Sequence, residues 1–184
     1  LLRWLEGSLG VGLEQIAACK SLCHALIVSA GAANAVSSLL QQQQVSAGQV
    51  ARMLLRQPTA FGFRPKLLSA RLGAVQQHLG LDAAAALQTA IAHPQLLTVP
   101  LEFSLPPLLR FLDGYMGEEG AGRRLVCARP SLGGLTAIRA ERSAGSLAAR
   151  GYDQKEIQAM ISKDATLLSM NLASSLQRQK LDWI

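Results

Sequence analysis

The chain has 184 residues, enough for one domain with a buried core or for about five stacked helical repeats. Nearly half of the residues are apolar but only 4% are aromatic, and long alternating runs of β-branched residues are absent, so the composition excludes an ordinary sheet protein and favours helices. A net charge of +6 favours an anionic partner over a merely basic soluble protein.

Residues 1–44 carry the weakest pattern. Because the chain begins at Leu1 rather than Met, we expect a mature or partial chain. The longest apolar stretch, residues 25–36, is interrupted by polar and small residues and is too short to span a bilayer, so we expect no membrane segment. The glutamine run at 41–44 is interpreted as a surface extension of a helix or a loop, with an interaction tract as the alternative.

Residues 80–116 show the organisation of the chain most clearly. Leu87 and Ile91 lie four residues apart, which places them on one face of a helix. A second set of leucines follows at spacings of four, three and four: Leu101, Leu105, Leu108 and Leu112. Pro94 lacks an N–H and crowds the carbonyl four residues back, so it marks the junction between two amphipathic helices. Asp82 is placed to cap the first of them.

The same arrangement recurs at a fixed spacing. Pro58, Pro94 and Pro130 stand 36 residues apart, and a fourth copy leads from Gly151 to a junction where Ala165 replaces proline. A period of about 35 residues with two helices per unit is typical of an α-solenoid, in which each unit covers the apolar stripe of the next. We therefore predict a single all-α solenoid over residues 1–184, with approximate repeats 9–44, 45–79, 80–116, 117–150 and 151–184, the first of them degenerate.

The order Gly-Leu, helix, basic residue, Pro-x-Leu-Leu, helix and again Gly resembles the repeat of the mitochondrial transcription termination factor (mTERF) family. The resemblance covers residues 45–184 well and residues 9–44 only as a degenerate copy around residues 22–27. It implies two α-helices and a short 3₁₀ turn per repeat, stacked at right angles into a curved half-ring. It also implies an organellar location, mitochondrial or alternatively chloroplast, and nucleic-acid binding along a basic concave face.

Three departures from this pattern affect the later copies. Ala165 stands where the others have proline, and Gly133-Gly134 is interpreted as replacing the leucine pair that follows Pro94. Residues 136–150 hold few large apolar side chains. We therefore predict that the junction at Ala165 is less regular than the other three.

Basic residues are unevenly distributed. No Asp or Glu lies between Gln15 and Leu81, and a second basic concentration, in residues 123–150, is opposed only by Glu141. Arginine outnumbers lysine and can bind phosphate bidentately, although a GC-rich genome also enriches arginine. Equivalent positions of stacked repeats fall in a line, which predicts contacts to a phosphate backbone. The predicted contact residues are Arg52, Arg56, Arg64, Lys66, Arg71, Arg123, Arg124, Arg129, Arg139, Arg142 and Lys163.

Three of these cations have a second interpretation. Arg56, Arg129 and Lys163 each lie one or two residues before a junction. A cation there can also interact with the exposed carbonyls of the last helical turn. Asp164 is placed to neutralise Lys163. Few aromatic side chains are available as stacking platforms, and several fall on apolar stripes, so backbone and shape recognition is favoured over base reading.

No pattern of catalytic or metal-binding residues is evident. Cys19, Cys23 and His24 lack the CxxC spacing and a fourth ligand, and Cys127 is remote, so the cysteines are interpreted as core residues. His78 and His93 are interpreted as surface or junction histidines. Glu118-Glu119 is interpreted as a solvated turn or helix start, and residues 117–122 as a glycine-rich turn that is no phosphate loop. We predict a non-catalytic protein with no cofactor, no metal and no small-molecule substrate.

Two classes of function remain. The first is an organellar nucleic-acid-binding solenoid that holds structured RNA, such as ribosomal RNA, as a component or assembly factor of an organellar ribosome. RNA is favoured because six net charges with few base-reading side chains suit fixed shape contacts, and a double-stranded DNA-binding termination factor is the alternative. The second class is a helical-repeat scaffold for ribosomal or other organellar proteins, with the acidic residues between 102 and 164 as a partner surface.

Overall fold

The computed structural model describes residues 2–12, 14–15 and 30–170. Within them the chain forms helices joined by turns and no strand, which confirms the all-α prediction. The α-helices are α1 Leu2–Leu9, α2 Ala30–Gln42, α3 Ala47–Arg56, α4 Pro65–Leu79, α5 Ala83–Ala92, α6 Leu101–Met116, α7 Ala121–Ala128, α8 Ala137–Ala148 and α9 Gln154–Lys163. The 3₁₀ helices are η1 Pro58–Gly62, η2 Pro94–Leu97, η3 Pro130–Gly134 and η4 Ala165–Ser169. The degenerate copy around residues 22–27 and the candidate ligands Cys19, Cys23 and His24 lie outside the described residues.

Every predicted junction is a 3₁₀ helix. The residue before each one leaves helical geometry, with φ between −130° and −145° and ψ between 67° and 94°, while its N–H still bonds to the carbonyl four residues back. Proline suits the next position, because its φ is fixed near −65° and its missing N–H has no helical partner there. The junctions predicted at Pro58, Pro94 and Pro130 are therefore confirmed.

The junction at Ala165 is also a five-residue 3₁₀ helix, so the prediction that it is less regular is wrong. The Asp164 carboxylate accepts hydrogen bonds from the Thr166 N–H at 3.0 Å and from the Thr166 hydroxyl at 2.8 Å. Such a side-chain cap fixes the first turn through hydrogen bonds. The cap therefore fixes the start of the 3₁₀ helix, as the proline ring does at the other junctions.

A second correction concerns the register of the third junction. The third and fourth residues of η2 are the buried pair Leu96 and Leu97, and the corresponding buried residues of η3 are Leu132 and Gly133. Gly134 is exposed. The prediction that Gly133-Gly134 replaces the leucine pair is therefore one residue out of register.

Left-handed backbone marks the predicted repeat boundaries. Gly80, Gly117 and Gly151 have φ values of 66°, 71° and 96°, and Gln44 has a φ of 64°. Glycine is favoured in this conformation because it carries no Cβ. The glutamine run ends α2 and forms an exposed turn, as predicted. Asp82 caps α5 by accepting from the Ala85 N–H at 2.7 Å, which confirms its predicted role.

The described chain groups into two compact units. The first comprises Leu1–Gln77 and Leu81–Pro100. In it α1 and α2 pack against α3, α3 packs against α5, and η1 contacts both α2 and η2. Its core includes the fully buried residues Val36, Leu40, Val50, Met53, Phe61, Leu68 and Leu97.

The second unit comprises His78–Gly80 and Leu101–Ile184. Here α6 packs against α7, α8 and η3, while η4 packs against α8 and α9. The predicted leucine stripe of α6 is buried, and α6 continues through Pro106 and Pro107, whose rings remove two N–H donors. Among the described residues, no helix of either unit combines the length and the hydropathy needed to cross a bilayer.

Candidate nucleic-acid interface

The positive charge of the chain comes from one stretch of it. Residues 16–80 hold six of the 18 basic residues and none of the 12 acidic ones, so the other 12 basic residues are balanced by 12 acidic ones. The formal net charge of +6 therefore resides in this stretch. Apart from Lys20, which lies outside the described residues, its cations are Arg52, Arg56, Arg64, Lys66 and Arg71.

Three cations of the first unit are exposed and free of internal bonds. Arg52 lies on the exposed face of α3, opposite the buried Val50 and Met53. Arg64 and Lys66 flank the first residue of α4, and both are exposed. Within the described part of the chain, the charged groups of Arg52, Arg64 and Lys66 form no hydrogen bond or ion pair. They are therefore available to an external anion.

Arg56 and Arg71 are engaged inside the first unit. The guanidinium of Arg56 donates to the carbonyl of Ala92 at 3.0 Å, and that of Arg71 donates to the carbonyl of Val99 at 3.0 Å. Ala92 ends α5, so Arg56 lies at the negative end of a helix dipole. This contact agrees with the interpretation that Arg56 binds exposed carbonyls at the end of a helix. The carbonyl, however, belongs to the helix of the next copy and not to the helix of Arg56.

His93 lies beside the Arg56 contact, as the residue that follows α5. Burial, and after it the Arg56 guanidinium, hold the pKa of His93 below its ordinary value of 6.5. The neutral ring is therefore favoured. Neutral imidazole adds no charge for a phosphate, which agrees with its interpretation as a junction histidine.

The second unit places Arg123 and Arg124 on α7 in different surroundings. Arg124 forms an exposed ion pair with Glu118, 2.6 Å between Nη2 and Oε2. Arg123 lies over Gly80, where an added Cβ would come within 2.8 Å of its Nη1. Glu118 and Glu119 are exposed in the turn before α7, as predicted.

The remaining predicted cations of the second unit lie around η3, α8 and α9. Arg139 donates to the carbonyl of Ser169 at 3.2 Å. Arg129 donates to the carbonyl of Ala128 at 3.3 Å, and its charge also acts on Asp164. Hydrogen bonds from Thr166 are the larger cause that lowers the pKa of the Asp164 carboxyl. Of these predicted cations, Arg142 and Lys163 are exposed, and their charged groups form no hydrogen bond or ion pair with the described residues.

Cys127 is exposed, so the expectation that it packs in the core is wrong. Its Sγ lies 3.8 Å from the Leu79 carbonyl. Partial desolvation raises the pKa of the thiol, and the Arg123 guanidinium opposes that change. A thiol with a raised pKa is a poor nucleophile at neutral pH. The described residues also contain no group of three or more His, Cys, Asp or Glu side chains able to hold a metal ion.

A groove in the second unit was missed by the sequence interpretation. It has a volume of about 630 Å³ and is lined by Arg110, Phe111, Gly114, Tyr115, Ala148, Gln154 and Ile157. Phe111 and Tyr115 are half-buried, with ring centroids 5.5 Å apart. Burial raises the pKa of the Tyr115 hydroxyl. The available signal was their spacing, because both lie three residues beyond a buried leucine of α6 and so at the edge of its stripe.

The chain matches no protein-family model and no curated protein. Its resemblance to the mTERF repeat therefore stays a prediction, which depends on the spacing of the four junctions and the boundary glycines. Its function has to be inferred from its own geometry and charge.

Proposed function

We propose that this chain is a non-catalytic, nucleic-acid-binding helical-repeat protein of the mTERF type. The observation that carries the proposal is the acid-free stretch of residues 16–80, which holds the whole net charge of the chain. Its support from the fold is the recurring order of α-helix, 3₁₀ helix and α-helix at a spacing near 36 residues. Copies stacked at right angles into a solenoid would present equivalent surface positions in a line, which suits a phosphate backbone.

The proposed mechanism is electrostatic and geometric. Cations fixed on short helices replace the counterions condensed on a nucleic acid, and the released ions drive binding. Structured RNA, such as the ribosomal RNA of an organellar ribosome, is the favoured ligand, because fixed cations with few stacking platforms suit phosphate and shape contacts. The mTERF resemblance implies a mitochondrial location, with the chloroplast as the alternative.

Competition binding at defined salt tests this proposal. The probe is a fluorescent RNA hairpin, titrated with the full chain between roughly 50 and 200 mM KCl, the range over which phosphate contacts weaken strongly. We expect affinity to fall as salt rises, and unlabelled folded RNA to compete better than duplex DNA of the same sequence. Displacement by DNA at equal or lower concentration would instead favour a DNA-binding termination factor.

A protein-binding scaffold is the second candidate, and one observation favours it. Phe103 and Ile138 of the second unit are large apolar side chains that are 77% and 68% exposed. Exposed apolar side chains of this size are typical of surfaces that bind proteins, here ribosomal or other organellar proteins. The same titration separates the two candidates, because a log–log salt slope near zero means that few phosphates are bound and rejects nucleic-acid binding.

A further inference from the structure

We infer that the polyanion is held by the first unit, through Arg52, Arg64 and Lys66, and that the predicted cations bonded to a main-chain carbonyl or placed beside an acid do not contact phosphate. The inference rests on the proposed function and narrows its site from two groups of cations to one. It is carried by three independent observations: the internal bonds of the cations, the acids beside them, and the residues at equivalent positions of the later copies.

Internal bonds remove some of the predicted cations from the interface. The guanidinium groups of Arg56, Arg71 and Arg139 each donate to a main-chain carbonyl. Each carbonyl lies in the copy that follows the arginine along the chain. That bond fixes the direction of the guanidinium, so a phosphate that needs another direction has to break it and gains little. These arginines therefore act as positioning residues that connect successive copies.

Neighbouring acids weaken the cations of the second unit. Arg124 is paired with Glu118, and the charge of Arg129 acts on Asp164. Arg142 directly follows Glu141, and Lys163 directly precedes Asp164. Adjacent residues lie within the Debye length of about 8 Å at physiological salt, so opposite charges largely cancel for a distant polyanion. The acids of the first unit, Glu6, Glu14 and Asp82, are at least 16 residues along the chain from Arg52, Arg64 and Lys66.

Equivalent positions show that the fold does not require these three cations. One period of 36 residues beyond Arg52, Arg64 and Lys66, the next copy has Gln88, Pro100 and Glu102. One period further on, the residues are Arg124, Thr136 and Ile138. The position of Lys66 is thus filled by a cation, an acid and an apolar residue in turn. Positive charge at all three positions is a property of the first unit and not of the repeat.

The inference sets the number of phosphate contacts. Neutralising one phosphate contributes roughly −0.7 to −0.9 to the slope of log K against log salt. Three contacts therefore give a slope of about −2 to −3, whereas all eleven predicted cations would give about −8 to −10. The measured slope distinguishes the two cases directly.

Two matched triple variants test which unit binds. Arg52→Gln, Arg64→Gln and Lys66→Gln are combined in the first, and Arg124→Gln, Arg142→Gln and Lys163→Gln in the second, so each removes three positive charges from exposed positions. Both are titrated against the same RNA hairpin. We expect the first to weaken binding on the order of 10- to 100-fold at low salt and to bring the slope close to zero. The second is expected to keep the slope and to change affinity by less than about threefold.

Single variants guard against misfolding and test the positioning role. Each single substitution at Arg52, Arg64 or Lys66 is expected to reduce the magnitude of the slope by about one, whereas Arg56→Gln should leave it unchanged. Equal loss of binding in the two triple variants would overturn the inference and leave the proposed function standing. A wild-type slope near zero would instead overturn the proposed function itself.

Discussion

Replacing Gly122 with alanine is expected to destabilise the second unit. Gly122 is buried in the first turn of α7 where that helix packs against α6. An added Cβ would lie 2.8 Å from the Leu109 carbonyl oxygen and 2.9 Å from the Leu112 Cβ. Backbone oxygen cannot turn aside as a flexible side chain can, so the two helices would have to separate.

The net cost is the difference between two effects. Overpacking of a close helix contact costs about 1–3 kcal/mol, and removing a glycine from a helix returns at most about 1 kcal/mol. We therefore expect Gly122→Ala to lower the free energy of unfolding by about 1–2 kcal/mol, or Tm by about 2–8 °C in a chain of this size. Gly145 on α8 is the matched control, because an added Cβ there meets nothing within 4 Å. Gly145→Ala should raise stability by about 0.5–1 kcal/mol.

Urea unfolding followed by circular dichroism measures both variants under identical conditions. We expect the urea midpoint to fall for Gly122→Ala and to rise for Gly145→Ala, with the m-value unchanged in both. A Gly122→Ala variant as stable as wild type, or more stable, would refute the close approach of α6 and α7. The Gly145→Ala control shows whether loss of glycine alone accounts for any gain.

Three further predictions concern the caps and the junctions. Asp113→Ala removes the carboxylate that accepts a hydrogen bond from the Gly122 N–H at 2.7 Å. The free energy of unfolding, measured by urea titration, should fall by about 1 kcal/mol. No change would show that this cap does not stabilise the fold. The pKa of Asp164 is lowered from 3.8 in the folded protein, so its negative charge stabilises the fold above that pH. This stabilisation is lost as the pH falls through the lowered pKa. The urea midpoint of Asp164→Asn should therefore lie below that of wild type at pH 7, and the two midpoints should converge in acid. Arg56→Gln should raise the pKa of His93, but not fully to 6.5, because burial is the larger cause of its lowered value. NMR titration of the ring protons measures this pKa. An unchanged value would mean that the guanidinium does not act on the ring.

Local chemistry made the junctions and the boundaries predictable from the sequence. A proline that cannot continue a helix, and a glycine that tolerates positive φ, act within a few residues of themselves, so Pro94 and Gly80 identify their own structure. The α6 stripe was predictable for a similar reason, because its spacing alone defines one face. The substitute for proline at Ala165 was missed because Asp164 supplies it through a side chain, which residue spacing does not reveal.

Contacts between distant residues were not predictable in the same way. The Arg71 guanidinium meets a carbonyl 28 residues away, and the Cys127 thiol meets one 48 residues away. Nothing in the local sequence of either residue distinguishes a side chain that makes such a contact from one that faces solvent. The division of the predicted interface into engaged and free cations therefore needed the structure.

One pair of contacts shows why charge alone could not assign the interface. Arg71 donates to the carbonyl of Val99 at 3.0 Å, and Ser143 donates to the carbonyl of Met170 at 3.2 Å. Both donors are the thirteenth residue after a junction start, and both acceptors are the fifth residue after the next one. An arginine and a serine thus serve the same position, and the copy between them has Pro107 there, so the fold does not require a positive charge at this position. At Arg52, Arg64 and Lys66 no internal bond selects the side chain, and positive charge is the property that the three share, which is why salt dependence should follow these residues and not the total number of cations.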